Sequence, residues 1–208
     1  MKENLIQHGL KEKNIEVLPY FTYLPELNKD EDTNTILFAS RIYKEKGLDY
    51  LIRAMEYIRV PFKLLVIGEG REIDNCKELS RKMDLLDKVT FSDWEFNRGE
   101  YYRKATVVAV PSIWPEPFGI VGIRAMSYAK PVVAFNVGGI PEWLQDNQTG
   151  FLITPYNIKE MANKIEILLQ DKALATRLGQ EGRQVAETKF NQDRHVNRLL
   201  GIYAEIYG

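Results

Sequence analysis

Six short apolar runs alternate with stretches of helical periodicity along most of this 208-residue sequence. Several of the runs are apolar at every position, as strands covered on both faces of a sheet should be. The strand candidates are Thr35–Ser40, Phe62–Gly68, Val89–Phe91, Thr106–Val110, Val132–Phe135 and Gly150–Ile153. This alternation predicts an α/β fold built on a doubly wound parallel sheet of about six strands. Because such sheets bind ligands beyond the carboxyl ends of their strands, functional residues are expected just after the strands.

The predicted helices between the runs carry apolar residues at helical spacing. The three clearest apolar faces lie within Leu48–Ile58, Ile73–Met83 and Ile158–Leu169. The two ends of the chain do not follow this alternation. Residues Met1–Asn34 are typical of a short helix followed by a linker, and a last helix from Asn191 has an apolar face that must dock on this domain or on another one.

Charge and composition narrow the class of function. The formal net charge is −1, so no overall field favours nucleic acid or an anionic membrane, although peripheral membrane contact stays open. A single cysteine, Cys76, suits a reducing cytoplasm, and two distant histidines make a metal site unexpected. The sequence has no apolar run of bilayer length and its start is not a signal peptide, so a cytoplasmic location is expected.

The first candidate site follows the first strand. Arg41 and Lys46 bracket a tight loop that leads into a helix. Two cations beside the positive end of a helix dipole suit a diphosphate. The alternative is an ordinary solvated basic loop.

The second candidate site follows the fourth strand, where a proline- and aromatic-rich turn carries a single acid, Glu116, just before a helix that opens at Gly119. The free N–H groups of residues Phe118 to Val121 would point at an anion. Glu116 could bind sugar hydroxyls or favour positive charge at a sugar carbon. The alternative is that Glu116 caps its own helix.

Two glycine motifs complete the set. The pair Gly138-Gly139 follows the fifth strand and would let backbone approach a ligand closely. The motif Gly68-x-Gly70 begins like a dinucleotide fingerprint, but it lacks the third glycine and follows the second strand. A dinucleotide oxidoreductase is therefore disfavoured.

Taken in order, these segments resemble the C-terminal, donor-binding domain of the retaining GT-B glycosyltransferases of family 4, the glycosyl transferases group 1. The resemblance is carried by Ala39-Ser40-Arg41 with Lys44-Glu45-Lys46-Gly47, by Leu65–Gly70, by Val89–Trp94, by Pro111-Ser112 with Glu116-Pro117-Phe118-Gly119, by Gly138–Glu142 and by Thr149–Leu152. It implies a Rossmann-like domain that forms the C-terminal half of a GT-B fold. It also implies hexosyl transfer from a UDP-, GDP- or ADP-sugar, with no bound metal or other cofactor.

The resemblance assigns roles residue by residue. Arg41 and Lys46 would grip the diphosphate, Glu116 would contact the donor sugar, and these three would be the catalytic residues. The loop around Trp94 would pack on the base. The remaining donor-site residues would be Gly68, Phe118, Gly119, Ile120, Val121 and Arg124. The chain departs from the family at Ser40 and Asp93, where the family has glycine. It departs again at Arg124, which stands at the position of the glutamate that binds the ribose diol.

Family enzymes place the active site between two such domains, and the acceptor-binding one is not recognisable here. The chain is therefore expected to divide into the end of a preceding domain and a linker (1–34), the nucleotide-sugar-binding domain (35–190) and a C-terminal helix (191–208). The expected partners are the donor and an N-terminal acceptor-binding domain, in cis or in trans. The alternative function is a catalytically silent nucleotide-binding or regulatory module derived from such an enzyme.

Overall fold

The computed structural model describes residues 2–27, 33–93 and 98–207 of the chain. Six strands lie within these residues. They are β1 (Thr35–Ala39), β2 (Lys63–Ile67), β3 (Val89–Ser92), β4 (Val107–Val110), β5 (Val132–Phe135) and β6 (Gly150–Ile153). Each predicted run forms a strand, and no end differs from the predicted end by more than one residue.

The strands form one parallel sheet in the order β3-β2-β1-β4-β5-β6. Leu37 of β1 lies between Leu65 of β2 and Val108 of β4. The strand order reverses between β1 and β4, so the loops that leave these two strands diverge and open a crevice at the carboxyl edge. The sequence prediction of a doubly wound α/β sheet is confirmed.

Helices cover both faces of the sheet. The described residues form α1 (Lys2–Gln7), α2 (Leu48–Ala54), α3 (Ile73–Lys82), α4 (Arg98–Lys104), α5 (Ile120–Ser127), α6 (Ile158–Gln170), α7 (Lys172–Lys189) and α8 (Gln192–Tyr207). Alternate side chains of β1 face two cores: Ile36 and Phe38 pack towards α2, α3 and α6, whereas Leu37 and Ala39 pack towards α4, α5 and α7. Burial on both faces explains why several of the strands are apolar at every position.

The predicted apolar face over Leu48–Ile58 is buried, but its helix is not continuous. Helix α2 ends at Ala54, and a 3₁₀ turn over Met55–Tyr57 carries the face onward. Helices α4 and α7 were not expected from the sequence. The buried positions of α7 are mostly small, and a Cβ on its Gly179 would lie 2.0 Å from the carbonyl oxygen of Ala129.

The N-terminal segment lies against α7 and α8. The N–H of Thr22 donates to the carbonyl of Phe190 over 2.8 Å, and Nδ1 of His195 lies 2.8 Å from the carbonyl oxygen of Pro19. The outer face of α8 stays uncovered, with Ile206 64% exposed. Within the described part of the chain, none of the helices combines the length and the apolar character needed to cross a membrane.

Candidate functional site

The loops that follow β1 and β4 are in direct backbone contact. The carbonyl of Glu45 accepts hydrogen bonds from the Ser112 hydroxyl (3.1 Å) and from the N–H of Ile113 (3.0 Å). Gly47 has a φ of 69°, and a Cβ at this position would lie 1.9 Å from the carbonyl oxygen of Pro111. Only glycine fits here, because the turn needs a left-handed residue and the second loop leaves no space for a side chain. The candidate residues of both loops are therefore brought together at the point where the strand order reverses.

Lys46 and Glu116 form the centre of this junction. Nζ of Lys46 donates to Oε1 of Glu116, and the Ser112 hydroxyl donates to the same oxygen over 2.6 Å. The Lys46 and Glu116 side chains are 16% and 11% exposed. Oε2 of Glu116 accepts no hydrogen bond from the described residues. The pair thus fixes the carboxylate through one oxygen and leaves the other available.

Glu116 does not cap α5. The residue before this helix is Gly119, which has a φ of 89° and offers no side-chain cap. The N–H groups of Gly119, Ile120 and Val121 donate no hydrogen bond to any of the described residues. Helix α5 therefore starts with donors available for an anion.

A cavity of about 240 Å³ lies over these donors. It is lined by residues 118–121, by Lys46 and Glu116, and on one side by Tyr20 of the N-terminal segment. The Tyr20 and Phe118 rings are 5.7 Å apart, so this irregular segment contributes a wall to the site. A second, more open cavity of about 630 Å³ adjoins the first and shares Lys46, Glu116 and Pro117 with it. Arg41 lines the second cavity but not the first.

Two expected donor-site residues, Gly68 and Arg124, line neither cavity, and a third is not described. Gly68 is buried and lines neither, and a Cβ there would lie 2.0 Å from the carbonyl oxygen of Ser40, so its place in the structure is explained by contact between loops. Trp94 lies outside the described residues. Arg124 is half-buried in the last turn of α5 and lines neither cavity. Its side chain has no hydrogen bond or ion pair with the residues that the structure describes.

Trp143 supports the start of α5 and was not anticipated. It is 1% exposed, and its Nε1–H donates to the carbonyl of Phe118. A Cβ on Gly122 would lie 1.9 Å from its ring, so the glycine lets the indole reach the loop. A tryptophan two residues after a proline, in a polar turn, carries no sequence signal for this role.

The glycine pair after β5 serves the same loop. The N–H of Gly139 donates to the carbonyl of Glu116 over 2.7 Å, and a Cβ on Gly138 would lie 2.3 Å from that carbonyl oxygen. The close approach expected at this pair is thus an approach to the backbone at Glu116. The hydrogen bond from Gly139 therefore fixes the backbone at Glu116.

Cys76 is not a reactive thiol. It is buried in α3, where desolvation raises the pKa of the thiol to about 12. A thiol with this pKa is almost wholly protonated at neutral pH, so it is a poor nucleophile.

Comparisons with known proteins agree with this geometry. The family model for glycosyl transferases group 1 matches residues 21–185. A glycosyltransferase of Methanocaldococcus jannaschii, described as uncharacterized, is 31% identical over 179 residues, covering 83% of this chain and 45% of that protein. The D-inositol 3-phosphate glycosyltransferase of Xylanimonas cellulosilytica is 32% identical over 180 residues, covering 84% of this chain and 43% of that protein. The chain thus spans about half the length of the curated relatives that it matches.

The fold is also shared with a solved structure. A structure of S. aureus TarM, a variant in complex with fondaparinux, α-GlcNAc-glycerol and UDP, superposes with a TM-score of 0.90 at 25% identity. The match covers 97% of this chain and 41% of TarM. The sheet order and this match confirm a Rossmann-like domain of the GT-B type. On the evidence of the matched family model, the relatives and the fold, this chain belongs to the glycosyl transferases group 1 family.

Proposed function

We propose that this chain is the donor-binding part of a retaining hexosyltransferase that uses a nucleoside diphosphate sugar. The observation that carries the proposal is the junction at the crevice between β1 and β4. There a lysine–glutamate pair, an uncapped helix start and a basic cavity meet. Cations and free N–H groups suit phosphate, and a half-free carboxylate suits sugar hydroxyls.

In this proposal the diphosphate and the sugar of the donor contact different parts of the junction. The diphosphate lies against the N–H groups of residues 118–121, with Arg41 and Lys46 beside it. Lys46 uses one of its three N–H donors on Glu116, which leaves two for phosphate oxygens. The sugar lies towards Oε2 of Glu116, which accepts hydrogen bonds from its hydroxyls.

The proposed chemistry separates charge at the glycosidic bond. As the bond between the anomeric carbon and the diphosphate oxygen breaks, the electron pair stays on the diphosphate and positive charge develops on the sugar. Arg41, Lys46 and the start of α5 stabilise the first charge, and Glu116 stabilises the second. An acceptor hydroxyl then bonds to the same face of the anomeric carbon, and its proton passes to the diphosphate oxygen that has left.

The base and the second domain complete the proposal. A uridine nucleotide is the first to test, since the TarM complex contains UDP, and GDP and ADP are the alternatives. The loop around Trp94 is the proposed base contact.

The acceptor belongs to an N-terminal domain, in cis or in trans, which the length of the relatives supports. We further propose the division 1–34, 35–190 and 191–208, and a cytoplasmic location.

Calorimetry and product release test the function together. UDP, GDP and ADP, each with its monophosphate, are titrated into the wild type, Arg41→Ala and Lys46→Ala. We expect one diphosphate to bind, and each substitution to weaken it by roughly tenfold or more while affecting the monophosphate less. Equal diphosphate affinity in the wild type and both variants contradicts the assignment of these two residues.

A catalytically silent nucleotide-binding or regulatory module is the second candidate. The observation that favours it is Arg124, which stands without a partner among the described residues where the family has a ribose-binding glutamate. Binding does not separate the two functions, but release of sugar from the bound donor does. Hydrolysis or transfer that is lost in Glu116→Gln supports the enzyme, and its absence even with a second domain supports the silent module.

A further inference from the structure

The more open cavity has more positive charge than the expected pair of cations accounts for. Its lining includes Arg41, Lys44, Lys46 and Arg71, together with the carboxylates of Glu45 and Glu116. Arg71 follows β2, the neighbour of β1 on the side away from β4. No role for Arg71 was predicted from the sequence.

The charges of this lining balance a diphosphate only when Arg71 is counted. Lys46 is set against Glu116, which leaves three cations and the carboxylate of Glu45, a net charge of two. A nucleoside diphosphate sugar carries one negative charge on each of two phosphates. Without Arg71 the net charge of the lining would be one. Within the described residues, neither Arg41 nor Arg71 has an acidic partner.

One aromatic ring holds both guanidinium groups. Cζ of Arg41 lies 5.3 Å from the centroid of the Tyr43 ring, and Cζ of Arg71 lies 5.4 Å from it. Guanidinium groups stack on aromatic rings, and the attraction offsets part of their mutual repulsion. The ring therefore orients two like charges towards the same cavity before any anion arrives.

The backbone fixes the distance between the two arginines. The N–H of Ile42 donates to the carbonyl of Glu69 over 2.7 Å, and the N–H of Glu72 donates to the carbonyl of Ile42 over 3.1 Å. A Cβ on Gly70 would lie 2.2 Å from that same carbonyl oxygen. The loops that carry Arg41 and Arg71 are therefore joined, and neither arginine can move away with its loop alone.

We propose that Arg71 is a second guanidinium ligand of the diphosphate, positioned beside Arg41 by the ring of Tyr43. This inference rests on the proposed function, because it names a further ligand at the same site. Two planar forks can each bind phosphate oxygens in a bidentate manner, which one lysine cannot do. Arg71 thus increases the preference for a nucleoside diphosphate over its monophosphate.

The test compares two arginines at opposite ends of one strand. Arg59 precedes β2 and Arg71 follows it, both are exposed, and Arg59 lies at the edge away from the cavities. The probes are inorganic pyrophosphate and the pair of UDP and UMP, replaced by the GDP or ADP pair if that binds the wild type more tightly. We expect Arg71→Ala to weaken diphosphate binding by roughly tenfold to a hundredfold in calorimetry, with a smaller effect on the monophosphate. Arg71→Lys should recover part of the loss, and Arg59→Ala should match the wild type.

Tyr43 provides an independent readout of positioning. Tyr43→Phe keeps the ring and should leave the diphosphate-to-monophosphate ratio unchanged, whereas Tyr43→Ala should lower it. Adding Arg71→Ala to Tyr43→Ala should cost less than it does in the wild type, because the arginine is already misplaced. Unchanged circular dichroism and thermal melting verify that each variant is folded.

The outcomes separate this inference from the proposed function. If Arg71→Ala binds diphosphate as tightly as Arg59→Ala while Arg41→Ala binds it weakly, Arg71 is not a ligand and the proposed function stands. If Arg71→Ala weakens diphosphate and monophosphate equally, its effect is general electrostatics and the inference is wrong. If the wild type binds neither pyrophosphate nor any nucleoside diphosphate, the proposed function and this inference both fail.

Discussion

Lys46 and Glu116 are charge partners in a site that we propose also receives an anion. Because both side chains are mostly buried, removing the ammonium would leave a poorly solvated carboxylate. The Ser112 hydroxyl offers a second hydrogen bond to Oε1, but a neutral donor compensates a carboxylate less than a cation does. The same lysine therefore links the stability of the loop to the proposed binding of phosphate.

Replacing Lys46 should expose this link in urea unfolding. We expect Lys46→Met to lower the free energy of unfolding by about 1–3 kcal/mol, because Glu116 then lacks its cation. Adding Glu116→Gln should restore part of the loss, since a neutral amide needs no counter-charge. Lys82→Met removes an exposed lysine paired with Glu78 and should change stability by no more than about 0.5 kcal/mol. A double variant no more stable than Lys46→Met would contradict the pairing argument.

Arg124 should change how the ribose is recognised. A carboxylate at this position accepts hydrogen bonds from both ribose hydroxyls, whereas an arginine has only donors. We expect the wild type to bind UDP and 2′-deoxy-UDP with similar affinity, and Arg124→Glu to prefer UDP by about 1 kcal/mol in calorimetry. Arg124→Ala separates the loss of the arginine from the gain of the carboxylate. Strong 2′-hydroxyl discrimination by the wild type would mean that another residue binds the diol.

Sequence reasoning named candidate residues that follow strands and missed those that line the candidate site from other parts of the chain. Lys46 and Glu116 could be named because parallel strands deliver their carboxyl ends to one edge. Tyr20 could not, because it lies in an irregular segment whose contact with Phe118 depends on tertiary packing. Arg71 also follows a strand, but its importance depends on a ring and a cavity that no spacing reveals.

At the scale of elements, the start of α5 depends on a support from another part of the chain. Trp143 lies in the turn after β5, and its indole N–H donates a hydrogen bond to the carbonyl of Phe118. The free N–H groups at the start of α5 can remain oriented only if this loop keeps its shape. A packed indole thus connects the core to the proposed phosphate contact.

Trp143→Phe should remove the hydrogen bond to the loop before α5 while keeping an aromatic ring in the core. We expect the free energy of unfolding to fall by about 1–2 kcal/mol, because the buried carbonyl loses its donor and some packing is lost. Diphosphate affinity should fall severalfold in calorimetry, since residues 118–121 are less well positioned. Trp114→Phe alters a tryptophan that is 58% exposed and should leave the unfolding free energy within about 0.5 kcal/mol of the wild type. Equal unfolding free energies of the two variants would argue against this support.

Helix α7, one of the two helices that sequence reasoning missed, shows where helical periodicity gives no signal. The buried residues of α7 are Ala175, Leu178, Gly179, Gly182 and Ala186, so only one of the five is a large apolar residue of the kind that marks an amphipathic helix. Its small residues are required by close packing, because Gly179 faces a backbone carbonyl with no space for a Cβ. Strands β4 and β5 were simple to place for the opposite reason, since burial on both faces makes them apolar throughout.

At the scale of the whole molecule, two uncovered apolar surfaces lie side by side. Tyr23 of the N-terminal segment is 70% exposed, and Leu200 and Ile206 of α8 are 59% and 64% exposed. Contacts between Pro19 and His195 and between Thr22 and Phe190 place these two stretches together. Exposed apolar residues gathered on neighbouring segments are typical of an interface. They support the proposal of a second domain, as does the length of the relatives.

The second domain should be needed for transfer and not for donor binding. We expect this chain alone to bind the nucleotide but to release sugar very slowly, because positioning between two walls supplies much of the rate. An N-terminal GT-B domain, added as a separate protein or fused before residue 1, should raise the release of UDP from UDP-glucose in a coupled assay. Glu116→Gln in the two-domain protein should remove that gain. Turnover at ordinary enzyme rates by the chain alone would contradict the need for a second domain.

The most direct measurement is the position of the bound nucleotide. Amide chemical shifts of the isotope-labelled chain, recorded while UDP, GDP or ADP is added, report where each one binds. We expect one nucleotide to shift the amide signals of residues 40–47 and 118–121 most strongly. Both sets of signals should reach saturation at the same nucleotide concentration, while those of α6 and of the N-terminal ends of the strands stay unchanged. Shifts confined to another surface, or no shifts with any of the three nucleotides, would contradict a donor site between β1 and β4.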